Sequence, residues 1–170
     1  LLTSQKSTTP TGILAHKTRS DTLEHSEMLF MGDSYLPENG TKEGVYLKMY
    51  GRKLYQYALN HVPGAIRACL HKSGIPLSEI KKVLIHQANG KMDDAILNRL
   101  YKLEDDLSVP VDVMPMTISW LGNSSVATVP TLLDLILKNE LDGHQIEKGD
   151  KIIFASVGAG MNINAMVYQA

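Results

Sequence analysis

The chain has 170 residues, with 17 Lys and Arg against 18 Asp and Glu, a net charge of -1, and one cysteine, Cys69. That length suits one domain able to bury roughly 70% of its extended surface. A lone cysteine excludes both an internal disulfide scaffold and a cysteine-built zinc site, so the reducing cytoplasm is the expected compartment. Near-zero charge argues against a dedicated nucleic-acid or membrane-surface binder, since each needs a strong positive field. No window approaches the ~20 apolar residues of a membrane span, and Leu1 to Pro10 lacks a signal-peptide core after a basic start.

In chain order, Leu1-Leu2-Thr3-Ser4 reads as the end of a strand, and Gly12 to Thr18 starts another around Ile13 and Leu14. The chain is thus expected to begin in mid-sheet. Arg19 to Gly44 is polar, with turn signals at Gly32-Asp33-Ser34 and Pro37-Glu38-Asn39-Gly40, and reads as a long surface connection. Helical spacing of Leu47, Tyr50, Leu54, Tyr57 and Ala58 predicts a helix to Asn60. A second helix, Gly64 to Lys72, carries Ala65, Ala68, Cys69 and Leu70, with Pro63 as the break between them. Ser73-Gly74 ends it.

Lys81 to Ile85 reads as a buried strand, Lys91 to Lys102 as a helix, and Val111 to Met116 as a short extended run interrupted by Pro115. After Gly122-Asn123-Ser124-Ser125 a serine or threonine is expected to cap a helix from about Val126 to Lys138, with Pro130 in its first turns. Lys151 to Val157 and Met161 to Tyr168 are two strands joined by Gly158-Ala159-Gly160. Strands alternating with helices before a terminal strand pair predict an α/β layer fold with a mixed, five-stranded sheet.

Three stretches lie where a strand gives way to a loop, the usual place for a site in such a sheet. They are His86-Gln87-Ala88-Asn89, Gly122-Asn123-Ser124-Ser125 and Gly158-Ala159-Gly160. Each alone has an ordinary reading: a strand-end histidine bonded to a carbonyl, an asparagine capping a helix, a glycine hairpin. Together, in this order, with Val126-Ala127-Thr128-Val129-Pro130 and Lys148-Gly149-Asp150-Lys151-Ile152-Ile153-Phe154, they resemble the carboxyl-terminal half of the thiolase-like condensing enzymes. The likeness is strongest to the beta-ketoacyl-acyl-carrier-protein synthase III family and extends from about Gly12 to the end.

That resemblance implies that the 170 residues form a C-terminal half-domain, with residues 1–10 closing the preceding half. It also implies a Cys-His-Asn site in an acyltransferase of fatty acid biosynthesis. His86 and Asn123 would be the catalytic pair, donating hydrogen bonds to the thioester oxygen of malonyl-carrier protein as carbon dioxide leaves; each such donor is worth about 3 kcal/mol. Backbone N–H groups of Gly158, Ala159 and Gly160 would form an oxyanion hole, Ala159 foremost. Ala88, Asn89 and Gly51 would line the phosphopantetheine tunnel, and Lys91, Arg99 and Lys102 would dock acyl carrier protein. Against docking stands an ordinary solvated face, because Asp93 and Asp94 adjoin Lys91.

The implied partners are acyl-CoA, acyl carrier protein, a half bearing the nucleophilic cysteine, and a second copy in a homodimer; no metal or organic cofactor is implied. Cys69, inside an apolar helical pattern, reads as a core thiol, so the chain by itself is expected to be inactive. Trp120-Leu121 before Gly122 depart from many members and put acyl-chain preference in doubt. The alternatives are a related ketosynthase of secondary metabolism, of alkylresorcinol or quinolone type, or a non-catalytic carrier-binding or dimer-forming fragment.

Overall fold

The computed structural model describes residues 6–36, 44–104 and 108–170. The expected strand end at Leu1-Leu2-Thr3-Ser4 and turn at Pro37-Glu38-Asn39-Gly40 lie outside them. Strand β1 (Gly12–Ser20) leads into a one-turn helix, α1 (Thr22–His25), a further short turn, and a hairpin of β2 (Leu29–Asp33) and β3 (Val45–Met49). The long helix α2 (Gly51–Ser73) precedes β4 (Ile80–Ile85) and α3 (Gly90–Leu103). A one-turn helix α4 (Ile118–Leu121), helix α5 (Thr128–Leu137) and strands β5 (Lys151–Gly158) and β6 (Asn162–Gln169) complete the chain.

The main sheet has the order β1-β6-β5-β4, with β4 parallel to β5 and the other pairings antiparallel. It is mixed, as expected, and among the described residues it has four strands where five were expected. Among the described residues the remaining two strands, β2 and β3, pair with each other and not with the main sheet. Further expectations need correction. Arg19 belongs to β1, and the segment after it is built of short elements rather than one surface loop. Leu47 lies in β3 rather than on the helix. Val111 to Met116 forms turns and bends, not a strand. The regular helix near Val126 begins at Thr128, after a short 3-10 turn at Ser125–Ala127.

Pro63 does not break the chain in two; α2 runs through it as one helix. A proline lacks the N–H that would bond the carbonyl four residues earlier, here that of Leu59. Arg99 on α3 supplies the missing donor: its Nη1 lies 3.1 Å from Leu59 O and 2.8 Å from Asn60 Oδ1. The helix ends at Gly74, whose φ of 71° is left-handed and whose N–H reaches Leu70 O and His71 O.

Period-two alternation on the strands divides two cores. Val83, Ile85, Ile153 and Ala155 face α2 and α3, meeting Ile66, Cys69, Leu70, Ile96 and Leu100. Leu84 and Ile152 face the other way, onto Leu132 and Ile136 of α5. Helices on both faces therefore cover β4 and β5, and the parallel pair sends its carboxyl ends to one edge. That edge carries the candidate site.

Candidate active site at the carboxyl edge of the sheet

His86 follows β4 directly, and its N–H bonds Ala155 O on β5 at 2.9 Å, so the parallel ladder fixes its backbone. The imidazole is half-buried. Burial pushes its pKa below the ordinary value, opposed by a hydrogen bond to the Ser125 backbone. Burial favours the neutral ring, which has one N–H donor, engaged by the Ser125 carbonyl, and one acceptor nitrogen.

Asn123 is exposed, and its Oδ1 accepts the Ser125 N–H at 2.9 Å in a tight local turn. Because oxygen is engaged there, the two amide protons on Nδ2 remain available as donors. Ser125 therefore links both candidate groups: its backbone interacts with the His86 ring and its N–H orients the Asn123 carboxamide. Ser125 sits at φ 53°, a left-handed conformation unusual for a non-glycine residue. The helix-cap reading of this stretch fails in detail, since no serine or threonine side chain caps α5.

Gln87 is the group that residue-by-residue reading overlooked. It is fully buried, and its Oε1 accepts the N–H groups of Thr117 at 2.8 Å and Ile118 at 3.0 Å, while Nε2 donates to Pro115 O at 2.9 Å. One amide thus ties the end of β4 to the segment that runs through α4 into Asn123. The available signal was its place: an uncharged amide between the end of a buried strand and the small Ala88.

Gly158-Ala159-Gly160 turns β5 into β6, as the hairpin reading expected. Gly160 has φ 72°, and a Cβ there would come within 2.7 Å of Asn162 Nδ2 and 3.2 Å of Thr22 Oγ1, so glycine is required. The turn is braced by Thr22 Oγ1 donating to Gly160 O at 2.6 Å and Asn162 Nδ2 donating to Ala159 O at 2.9 Å. As β4 and β5 are parallel, this turn and His86 share one edge of the sheet.

The remaining candidates separate. Ala88 is half-buried and Asn89 exposed, but the Asn89 side chain caps α3 by accepting Met92 N–H at 3.3 Å. Gly51 is the exposed first residue of α2. Lys91 and Lys102 are exposed on α3, whereas Arg99 is committed to Leu59 and Asn60 and is a brace between helices. Asp93 does not share the Lys91 face: it is fully buried, and its pKa is raised to about 7 by burial and by neighbouring Asp94. Cys69 is 1% exposed, its Sγ donates to Ala165 O at 3.5 Å, and burial raises its pKa; it is a core thiol. Among the described residues no group of three or more His, Cys, Asp or Glu side chains is arranged to hold a metal, and no helix is long and apolar enough to cross a membrane.

A mixed sheet between helical layers, with a histidine, an asparagine turn and a glycine hairpin along one edge, is a thiolase-like α/β unit. Residues 70–170 match the family of the 3-oxoacyl-[acyl-carrier-protein] synthase III C terminal, and the chain belongs to that family. A beta-ketoacyl-[acyl-carrier-protein] synthase III of Latilactobacillus sakei is 30% identical over 128 residues, 75% of this chain and 36% of the relative. The synthase of that name from Thermosynechococcus vestitus is 31% identical over 163 residues, 92% of this chain and 46% of the relative. Among solved structures, 3-oxoacyl-[acyl-carrier-protein] synthase III of Aquifex aeolicus aligns with a TM-score of 0.74 at 25% identity, covering 97% of this chain and 46% of its own. The beta-ketoacyl-[acyl-carrier-protein] synthase III of Thermus thermophilus aligns at 0.77 and 24% identity, covering 94% and 46%. The chain thus spans less than half the length of these relatives.

Proposed function

We propose that this chain is the C-terminal part of a 3-oxoacyl-[acyl-carrier-protein] synthase III, an acyltransferase that condenses an acyl-CoA primer with malonyl-carrier protein in fatty acid biosynthesis. The observation that carries the reading is the joint tethering of His86 and Asn123 through Ser125 at the carboxyl edge, in a chain of this family. Decarboxylation breaks the bond between the malonyl carboxylate and the adjacent carbon, and the electron pair moves toward the thioester oxygen. The Asn123 carboxamide N–H, already oriented, and the His86 ring N–H, once it leaves the Ser125 carbonyl for the substrate, stabilise the charge growing there; each such donor contributes about 3 kcal/mol. The resulting carbanion attacks an acyl thioester, forming a carbon–carbon bond and releasing the thiolate.

The burial of Cys69 supports its reading as a core thiol, and the nucleophilic thiol is proposed to lie in a half outside these residues. Acyl-CoA and acyl carrier protein are the proposed partners, the intact enzyme a cytoplasmic homodimer working without metal or organic cofactor. Lys91 and Lys102 remain the docking candidates on α3, because the buried Asp93 leaves Asp94 as the acidic neighbour in solvent. Ala88, Asn89 and Gly51 are proposed along the pantetheine path and the Gly158–Gly160 turn as the oxyanion hole.

Mass spectrometry of the chain incubated with acetyl-CoA is expected to show no acetyl group on Cys69; a stable adduct there overturns the assignment of the nucleophile. Acyl carrier protein is expected to bind with an affinity that falls steeply with salt and drops on Lys91→Glu. Binding indifferent to both overturns the docking assignment.

A further inference from the structure

Lys82 lies on β4 about 13 Å before His86, at some 3.3 Å per residue, and is only 5% exposed. Its Nζ donates to Asp112 O at 2.7 Å and contacts His144 Nδ1 at 3.0 Å. A charged ammonium has three protons and no lone pair, so Nδ1 is the acceptor in that contact. Two protons are thereby used. Among the described residues no carboxylate lies within ion-pair distance of Nζ. Asp112 and Asp150 act on it only at longer range, and burial pulls its pKa down. A buried cation without a direct counter-ion is an unfavourable arrangement that an incoming anion relieves.

Space for one is present. Lys82 and His144 line a cleft of about 750 Å³ whose other walls include Ile80, Pro110, Val111 and Leu141. Val111 is 88% exposed at this opening, an apolar side chain with no neighbour to cover it. Two ammoniums, Lys81 and Lys82, stand beside the aliphatic side chains in a lining that also holds Ser78, Asn139 and Gln145, and the mixture suits a ligand that is charged at one end and apolar at the other. Asp112 and Asp142 also line the cleft and offset the charges of Lys81 and Lys82, which disfavours a polyanion and leaves a single negative charge as the better match.

We propose that this cleft binds a small monocarboxylate with a short aliphatic tail, its carboxylate on Lys82 Nζ beside His144 and its tail against Pro110, Val111 and Leu141. The ligand completes the third hydrogen bond of the ammonium and covers Val111. Neither the family match nor the reading of His86 and Asn123 is needed for this site, and either can fail without the other.

The test is protein-observed NMR of the full chain titrated with hexanoate, following the imidazole resonances of His144 and His86. Saturable shifts are expected at His144 and Val111 and not at His86. Hexanol, without the charge, and inorganic phosphate, without the tail, are each expected to bind at least about tenfold more weakly, as is hexanoate to Lys82→Met. Val111→Asp, at an exposed position where folding is not at risk, should weaken hexanoate similarly. The proposal is overturned if no saturable shift occurs, if the shifts centre on His86, if phosphate or hexanol binds as tightly as hexanoate, or if both variants bind it unchanged.

Discussion

The carboxyl edge of the sheet and the α2–α3 helix pair face the same problem, backbone groups left without partners, and solve it with different side chains. At the edge, the buried amide of Gln87 takes two N–H groups and one carbonyl of the Pro115–Ile118 segment. Between the helices, the exposed Arg99 guanidinium takes the one carbonyl that Pro63 leaves free. A neutral group with both donor and acceptor satisfies a dry site completely, whereas a charged donor suffices where water can share the work. The helix pair also holds a polar group with no such answer: both carboxylate oxygens of Asp93 lack a hydrogen-bond partner among the described residues.

Removing the edge's amide should have the largest effect. Gln87→Leu strands two N–H groups and a carbonyl, and is expected to lower unfolding free energy by about 3 kcal/mol, read by urea denaturation. Retention of wild-type stability would mean that the segment does not depend on Gln87.

Asp93 should show the opposite sign. Its folded-state pKa of about 7 stands above the ordinary carboxylate value, so the native state favours the protonated form. Its contribution is therefore present at low pH and is lost as pH rises from the unfolded-state value through about 7. Asp93→Leu is expected to be more stable than wild type at pH 8 by about 2 kcal/mol and nearly equal to it at pH 4, measured by denaturation at both values. A pH-independent difference would contradict the assignment.

Arg99→Ala should cost least, about 1 kcal/mol, since water can reach the freed Leu59 carbonyl. The informative double variant adds Pro63→Ala, which restores the helix N–H. If Arg99 acts as the donor for Leu59, the two changes are non-additive in a double-mutant cycle; strict additivity removes that role.

The residues themselves made much of the local backbone of the candidate site legible. His86-Gln87-Ala88-Asn89, Gly122-Asn123-Ser124-Ser125 and Gly158-Ala159-Gly160 mark strand ends and turns through residue types that local backbone chemistry demands, and the strands β4, β5 and β6 follow from apolar runs bounded by turn residues. Cys69 was legible as a core thiol because its helical neighbours are small and apolar. The strand count was less legible: β2 and β3 are short, and whether they join the main sheet or pair apart depends on partners distant in sequence.

Local pattern also misjudged two residues whose roles are set by elements far along the chain. Pro63 looks like a helix end because a proline removes a donor, and only the approach of α3 supplies Arg99 to replace it. Arg99 in turn looks like part of a basic stripe until α2 claims it. The sequence by itself determined the thiolase-like class, through its resemblance to that family, and the succession of β4, α3, β5 and β6 with the polar groups at the sheet edge, through local periodicity and turn chemistry. Only the tertiary structure decided which polar groups are spent on the protein's own backbone and which keep a proton without a partner. That division depends on burial and on hydrogen-bond partners brought together from distant segments, as Gln87, Arg99 and Lys82 each show.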